Sequence, residues 1–233
     1  MKKKAYVTIL LLLAAALGTA GPRESLMDAA VKGDEDAARK AVLAGADVNA
    51  AGPSGETPLM RASELGRTSL VKFLLDRDAK VDATRKNGVT ALMMASERGR
   101  ADAVKLLLKA GANPNARAKD GNTSLIWASM RGHAEVVKLL LEKGAEVNII
   151  NEHGYTPLHD ACRYKRIETI KLLLEKGADV KIRELCGKIP LELVIDSPLW
   201  DPLLEKNREG ILDLFREYHP ELFFETYCLS LQP

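Results

Sequence analysis

The sequence predicts an all-α solenoid of stacked helix-turn-helix units that are joined by hairpin-like loops, and three observations lead to that fold class. The first is an internal repeat of constant period, marked by the equally spaced Gly55, Gly88, Gly121 and Gly154. The second is a Leu-rich run at helical spacing late in each copy, and the third is a Thr before a short helical segment early in each copy. A fixed period this short indicates stacked units, because one unit cannot bury its apolar face alone.

Each unit begins with a short helix whose two ends are marked by residue type. The pairs Thr57-Pro58 and Thr156-Pro157 predict helix starts, because the hydroxyl caps free N–H groups and Pro suits the first helical position. A glycine ends the helix, since it tolerates the left-handed conformation that a tight stop requires. The predicted stops are Gly66, Gly99 and Gly132.

A second helix and a turn-rich connection complete each unit. Val136 and Leu140 lie at helical spacing, and Gly144 ends that helix. The unit is therefore a helix, a turn, a second helix and an extended loop. Asp78 and Lys165 stand where the other units have a helix-ending Gly, and we expect strain in a left-handed conformation at both positions.

Three of the copies resemble ankyrin repeats: GETPLMRASELGRTSLVKFLL, GNTSLIWASMRGHAEVVKLLLEKGAEVN and GYTPLHDACRYKRIETIKLLLEKGADV. The family pattern is G-x-TPLH-x-A, followed by G-H, V-x-LLL and GADVN. The resemblance implies an ankyrin-repeat domain over residues 21–233. Its units, numbered 1 to 6, are residues 25–51 (partial), 52–84, 85–117, 118–150, 151–183 and 184–220, the last degenerate with an insertion at 197–207 and followed by a tail at 221–233.

The first twenty residues are of a different kind. MKKKAYVTILLLLAAALGTA begins with lysines, continues as an apolar stretch from Ala5 to Leu17 and ends in small residues. This pattern predicts a secretory signal peptide at residues 1–20 that is cleaved after Ala20. The alternative is an uncleaved anchor, because the apolar stretch nearly reaches the shortest length that spans a bilayer. Export predicts a periplasmic or secreted protein, with no membrane insertion once the signal is cleaved.

Removal of that segment changes the charge balance. The chain has 34 basic and 32 acidic residues, and because three lysines lie in residues 1–20, the rest of the chain carries 31 basic and 32 acidic residues. The charges are interleaved along the predicted helices rather than clustered on one face. This pattern is typical of a solvated surface and argues against a nucleic-acid partner.

The three cysteines leave two alternatives open. Cys162 lies beside Ala161 on a first helix, where a small buried side chain suits the packing. Cys186 lies in a loop and Cys228 in the tail, so an exported chain could hold a Cys186–Cys228 disulfide or keep free thiols.

No motif predicts catalysis, a cofactor or a metal site. The sequence has neither a phosphate-binding Gly-rich loop nor a G-x-S-x-G elbow, and no pair of His or Cys residues has zinc-finger spacing. His133 and His159 occupy positions at which the resemblance implies structural histidines, and we expect His159 to tie its helix start to the adjacent loop. We therefore expect a protein that is not an enzyme and holds no cofactor.

One position of the first helix varies freely inside the repeated frame. Leu125 and Ala128 recur in every full unit and share one helix face, whereas Trp127 lies about 200° round from Leu125 at about 100° per residue. This position and the positions three and four residues after it form a ribbon along the stack. The ribbon comprises Arg61, Glu64 and Leu65; Met94, Glu97 and Arg98; Trp127, Met130 and Arg131; and Asp160, Arg163 and Tyr164.

The ribbon admits two interpretations. Its Trp, Tyr, Met and Arg content is typical of the core of a protein–protein interface. The alternative is packing, in which an apolar residue such as Trp127 or Met94 fills the gap between neighbouring first helices. On the first interpretation, Trp127, Met130, Met94 and Tyr164 supply affinity and the arginines supply specificity.

The loops between units extend the same predicted surface. Two of their side chains, Val89 and Tyr155, are apolar groups where a purely solvated loop does not need them. The loop tips are Lys86 and Val89; Lys119, Asp120 and Asn122; and Glu152, His153 and Tyr155.

The resemblance implies a non-enzymatic module that binds a partner protein through its concave face, formed by the ribbon and the loop tips. We expect a monomer that acts in the cell envelope or outside the cell, as an adaptor, stabiliser or inhibitor of an envelope protein. Two alternatives stay open: a secreted effector that binds a host protein, and a structural envelope component that self-associates.

Overall fold

The computed structural model describes residues 22–195, 202–220 and 222. This part of the chain contains twelve helices and no strand, which confirms the all-α prediction. The helices are α1 (Pro22–Lys32), α2 (Glu35–Leu43), α3 (Pro58–Glu64), α4 (Thr68–Leu75), α5 (Ala91–Glu97), α6 (Ala101–Lys109), α7 (Ser124–Arg131), α8 (Ala134–Glu142), α9 (Pro157–Arg163), α10 (Ile167–Glu175), α11 (Pro190–Ile195) and α12 (Pro202–Tyr218).

The helices pack as two parallel layers. The first helices of successive units, α1, α3, α5, α7, α9 and α11, each contact the next in one layer, and the second helices from α2 to α12 do the same in the other. Within each unit the first helix also packs on the second. The solenoid prediction is therefore confirmed, because units 2 to 5 are each covered by a neighbouring unit on both sides.

The predicted helix starts are present with their caps. Thr57, Thr90, Thr123 and Thr156 have extended backbones, and each hydroxyl accepts a hydrogen bond from the N–H three residues later at 3.3 to 3.4 Å. Such a cap contributes about 1 kcal/mol to the stability of the helix. Four identical caps at one spacing explain why short helices of seven or eight residues are stable in this stack.

The predicted helix stops are also confirmed. Gly66, Gly99 and Gly132 have φ angles of 68°, 66° and 80°, in the left-handed region. Asp78 and Lys165, which replace glycines, adopt φ angles of 61° and 54°. The frame therefore imposes the same turn even where a side chain makes it strained.

The buried side chains form one continuous core that runs the length of the stack. Leu59, Leu92, Leu125 and Leu158, the recurring first-helix leucines, are almost completely buried. The alanines three residues after each of them are fully buried as well, so neighbouring first helices approach closely. One cluster extends in this way from Leu26 to Leu222.

Side chains that recur once in each repeat tie the loop of one unit to the next unit. In every case the side-chain oxygen of an Asn or Asp accepts a hydrogen bond from the backbone N–H of the residue 31 positions later in the chain. The bonds run from Lys80 to Asn49 (2.7 Å), from Asn113 to Asp82 (3.1 Å), from Glu146 to Asn115 (2.9 Å) and from Asp179 to Asn148 (2.8 Å).

A second set of ties joins the helical parts of neighbouring units. An Arg or His that precedes each second helix donates to a carbonyl oxygen 36 residues earlier, at the end of the previous unit's first helix. The bonds are Arg67 to Val31 (3.3 Å), Arg100 to Glu64 (3.2 Å), His133 to Glu97 (3.0 Å) and Arg166 to Met130 (3.1 Å). They give His133 the structural role that was predicted for it.

The degenerate sixth unit differs from the sequence-based expectation. The insertion predicted at 197–207 overlaps the second helix of this unit, because α12 already begins at Pro202. The later part of the predicted insertion is therefore helical.

Two predictions fall outside the described residues. One is the signal peptide at 1–20 with its cleavage after Ala20, and the other is the Cys228 half of the predicted disulfide. No helix within the described residues is long and apolar enough to cross a membrane.

Candidate partner-binding surface

The structure places the ribbon on α3, α5, α7 and α9, but its members differ in how far they reach solvent. Tyr164 is 43% exposed, and the Arg98, Arg131 and Arg163 side chains are exposed too. Met130 is half-buried. The other members that are partly exposed are Arg61, Glu64, Leu65, Glu97 and Trp127.

Two residues that were predicted to belong to the binding surface, Met94 on the ribbon and Val89 at a loop tip, are buried. Met94 is only 5% exposed, because α5 lies between α3 and α7 and the side chain fills the space between these helices. Val89 at a loop tip is also 5% exposed and belongs to the core. For both residues the packing interpretation holds. Trp127 falls between the two interpretations, since it is partly exposed yet packs against the core.

Ion pairs link the ribbon positions of units 2, 3 and 4. Arg98 in unit 3 reaches back to Glu64 in unit 2 at 3.0 Å, and Arg131 in unit 4 reaches back to Glu97 in unit 3 at 2.7 Å. Arg61 also contacts Glu64, at 2.9 Å. We call this series, from Arg61 to Arg131, the ion-pair ladder. Its charges are neutralised by their own neighbours.

The ladder stops at the step from unit 4 to unit 5. Met130 occupies the position of Glu64 and Glu97, and Tyr164 occupies the position of Arg98 and Arg131. Neither can form the ion pair that closes the earlier steps, so an apolar and aromatic surface replaces the ladder. We call this surface, formed by Met130, Tyr164, Tyr155 and Arg163, the aromatic step.

Arg163 is the charged centre of the aromatic step. Its guanidinium carbon lies 5.7 Å from the centre of the Tyr155 ring and 5.8 Å from the centre of the Tyr164 ring. Both distances are within the range of a cation–π interaction, which holds a long side chain in one place while it stays in contact with solvent. The guanidinium of Arg163 is thereby held in place at the surface.

Asp160 lies beneath this surface and is 7% exposed. No hydrogen bond to its carboxylate is present within the described residues. Burial raises the pKa of the Asp160 carboxyl to about 6, although the nearby positive charges of Arg163 and His153 act in the opposite direction. The ionised form of Asp160 partly offsets the charge of Arg163.

His159 is structural, as predicted. Its ring Nδ1 accepts the Thr156 N–H at 3.2 Å, and its Nε2 lies 3.2 Å from the Lys188 carbonyl oxygen in unit 6. Burial lowers the pKa of His159, so the neutral ring that makes both contacts is favoured. The Tyr155 ring meets the His159 ring edge-on with centroids 5.8 Å apart, which fixes the position of Tyr155.

The loop tips form a ridge beside the ribbon. Their backbones are joined by hydrogen bonds from Lys86 to Ser54, from Lys119 to Asn87 and from Glu152 to Asp120, at 2.9, 2.9 and 3.1 Å. The exposed tip side chains are Lys86, Lys119, Asp120, Glu152 and His153, while Asn122 and Tyr155 are partly exposed. Asn122 accepts a hydrogen bond from Asn151 and so also helps to hold the ridge together.

The ridge continues one unit further than the sequence analysis placed it. Leu185 is 76% exposed, its N–H donates to the His153 carbonyl at 3.2 Å, and Cys186 beside it is exposed with a free thiol. Leu185 lies one repeat period after Glu152, so extending the repeat by one unit would have identified it. The exposed apolar groups thus collect at the end of the ridge that adjoins the aromatic step.

A group of three or more side chains that could hold a metal ion is absent from the described residues. In the comparison with protein families, the model described as Ankyrin repeats (3 copies) matches residues 26–118 and 110–184, which together span units 1 to 5. No curated protein matches the chain.

Proposed function

The chain belongs to the ankyrin-repeat family, and from that premise we propose that it is an exported protein that binds a partner protein through the aromatic step of its ribbon. Ankyrin repeats generally mediate protein–protein interaction, and the fold is a non-enzymatic interaction module. The proposal places the chain in the cell envelope or outside the cell, as a monomeric adaptor, stabiliser or inhibitor.

The observation that carries this proposal is the end of the ion-pair ladder at Met130 and Tyr164. An exposed Tyr, a half-buried Met and an Arg held between two rings form the kind of cluster from which interface hot spots are built. Elsewhere on the ribbon the charges already have partners within the chain. A partner that contacts the aromatic step therefore displaces no internal ion pair.

Export is supported by residues 1–20, whose lysines, apolar stretch and small residues are typical of a signal peptide. The intact mass of the protein recovered from the producing cell tests this part of the proposal. A mass that begins at Gly21, in an envelope or culture-fluid fraction, is the expected result. A full-length chain in the cytosolic fraction would contradict export and leave the binding proposal in place.

Affinity capture tests the binding surface. A tagged chain that begins at Gly21 is incubated with envelope extract beside a Met130→Ala/Tyr164→Ala variant, and the retained proteins are identified by mass spectrometry. We expect at least one protein to be retained by the wild type alone. That protein is then purified, and its affinity for both chains is measured by calorimetry.

A matched control distinguishes binding at this surface from nonspecific binding through exposed apolar side chains. Val31 and Leu43 are exposed apolar side chains in unit 1, far along the stack from the aromatic step, so Val31→Ala/Leu43→Ala removes a similar apolar area. The control should retain the partner. If Met130→Ala/Tyr164→Ala retains it equally well, the aromatic step is not the binding surface.

A further inference from the structure

The turn between the two helices of unit 5 has a charge that the equivalent turns lack. Residues 163–168 contain three basic side chains and one acidic side chain. The equivalent stretches at 64–69, 97–102 and 130–135 each contain equal numbers of basic and acidic side chains when His is neutral. The excess of positive charge therefore begins where the ion-pair ladder ends.

The ladder explains why this charge is not neutralised. Arg98 and Arg131 each meet a Glu of the preceding unit, at 3.0 and 2.7 Å. The ladder's Glu position is held by Met130 in unit 4 and by Arg163 itself in unit 5, so neither unit supplies the ladder's carboxylate there. Arg163 interacts with the buried Asp160 and with two aromatic rings, while its guanidinium stays in contact with solvent.

A groove of about 360 Å³ lies at the turn that follows Tyr164 in the chain. Arg131, Lys165 and Arg166 line it together with the first residues of α10, among them Glu168. No side chain caps the first N–H groups of α10, whose N-cap residue is Arg166. The positive end of a helix favours a bound carboxylate, and here it adds to the charges of Lys165 and Arg166, whereas Arg131 is already paired with Glu97.

Apolar groups flank the same positive surface. Tyr164 and Met130 lie on its ribbon side, and Leu185 lies on the ridge beyond Tyr155. We infer that the segment of the partner that binds here is an acidic peptide, with carboxylates that contact Arg163, Lys165 and the start of α10, and an apolar or aromatic side chain that packs on Tyr164 and Met130. This inference rests on the proposed function and names the chemistry of its partner.

The extent of the surface favours a peptide over other polyanions. The charge excess is confined to one turn of one unit, and the neighbouring turn at 130–135 is neutral. A nucleic acid or an anionic membrane would be matched by cations spread over several units. A short peptide needs a few carboxylates and one apolar anchor, which a single unit supplies.

A displayed library of random twelve-residue peptides, selected on the immobilised chain that begins at Gly21, tests the inference. We expect the enriched peptides to carry a clear excess of Asp and Glu together with at least one Leu or aromatic residue. An enriched peptide is then synthesised with a fluorescent label, and its affinity is measured by anisotropy at two salt concentrations. Binding should weaken as the salt concentration rises.

Two variants of equal charge locate the peptide. Arg163→Gln/Lys165→Gln should weaken its binding at least tenfold, whereas Lys138→Gln/Lys143→Gln, which removes two exposed cations from α8 and its C-terminal end, should change it less than twofold. Thermal unfolding of both variants checks that they are folded. If Arg163→Gln/Lys165→Gln unfolds, the single variant Arg163→Gln is measured in its place. Its affinity for the labelled peptide should be at least threefold weaker than that of the wild type.

Three results would overturn the inference: enrichment of neutral or basic peptides, no enrichment at all, or equal losses in the two variants. Binding to vesicles that contain anionic phospholipid, abolished by Arg163→Gln/Lys165→Gln, would assign the surface to a membrane and overturn it as well. The proposed function fails separately. If the captured partner protein depends on Met130 and Tyr164 but not on Arg163 and Lys165, the function stands and the acidic-peptide inference is wrong.

Discussion

The ion-pair ladder and the aromatic step occupy equivalent positions of the same repeated helix, yet their surfaces have opposite character. In units 2 to 4 an Arg of each unit meets a Glu of the unit before it, so the charges satisfy one another. From unit 4 to unit 5 a Met and a Tyr take those two positions, and Arg163 lies between two aromatic rings. The backbone frame, the caps and the inter-unit ties are the same in both regions.

The difference between the two regions lies in which side chains are left without an ion-pair partner from the neighbouring unit, and the proposed binding surface is the region without such pairs. Exposed ion pairs contribute little to stability, typically below about 1 kcal/mol. Their larger effect is on specificity, because a ligand must displace them and bury their charges. Removing the pair at one step therefore creates a binding surface at little cost to the fold.

Extending the ladder should have the largest effect. Met130→Glu/Tyr164→Arg places an acidic and a basic residue at the positions that hold them in the earlier steps. The aromatic step should then be replaced by a further ion pair of the ladder. We expect the affinity for the captured partner to fall about a hundredfold, or about 2.7 kcal/mol, in calorimetric titration. The free energy of unfolding in urea should change by less than about 1 kcal/mol.

The control for that prediction is the opposite exchange, in which Met and Tyr replace one Glu–Arg ion pair of the ladder. Glu64→Met/Arg98→Tyr opens the step from unit 2 to unit 3 without touching Met130, Tyr164 or the groove at the start of α10. It should leave the affinity within about threefold of wild type. Equal losses from both exchanges would mean that the two regions do not differ in function.

The buried carboxyl of Asp160 should give unit 5 a pH dependence. Its pKa is raised from 3.8 to about 6 in the folded state, so the folded state binds more protons between these values and stability falls as pH rises through that window. Asp160→Asn should therefore be more stable than wild type by roughly 2 kcal/mol at pH 7. The difference should shrink as pH falls and vanish below about pH 3, where the Asp160 carboxyl is neutral in both the folded and the unfolded chain.

Urea unfolding of both chains from pH 4 to pH 7 measures this difference. Burial lowers the pKa of His159, whose contribution rises with pH, but it is common to both chains and cancels in the comparison. A difference in stability that stays constant with pH would show that Asp160 does not titrate in this range.

One buried position distinguishes units 2 to 4 from unit 5 inside the core. Ser63, Ser96 and Ser129 are fully buried, and their hydroxyls have no hydrogen-bond partner within the described residues, whereas Cys162 takes this position in unit 5. Ser96→Ala should stabilise the chain by about 1 kcal/mol, because it removes an unpaired polar atom. Cys162→Ser should destabilise it by a similar amount, and urea unfolding measures both changes.

The smallest expected effect concerns the strained turn of the aromatic step. Lys165 has a φ angle of 54°, where unit 4 has Gly132. Lys165→Gly should raise the free energy of unfolding by about 0.5 to 1 kcal/mol, since glycine adopts this conformation without strain. The reverse exchange, Gly132→Ala, should lower it by more, because its Cβ would also lie 2.7 Å from Arg166 Cδ. Differential thermal unfolding checks the two signs, and a loss of stability in Lys165→Gly would show that the turn is not strained.

Some features of the site could be predicted from the sequence and others could not. The repeat placed the ribbon on the correct helices, and it placed Tyr164 and the arginines at solvent. Met94 and Val89 were predicted at the surface but are buried, because their burial depends on side chains contributed by other units. The ladder was missed, although a Glu followed by an Arg just over one repeat period later is visible twice in the sequence.

By itself the sequence determined the fold, because caps, glycine stops and a leucine stripe act within one unit and then recur at a fixed period. The tertiary structure alone decided which variable side chains are available to a partner. Availability is set by what surrounds each side chain in the stack: a carboxylate of the preceding unit for Arg98 and Arg131, two aromatic rings of its own unit for Arg163, and a closed gap around Met94. Contacts of this kind between units join residues far apart in the chain, and their distances depend on how the units stack.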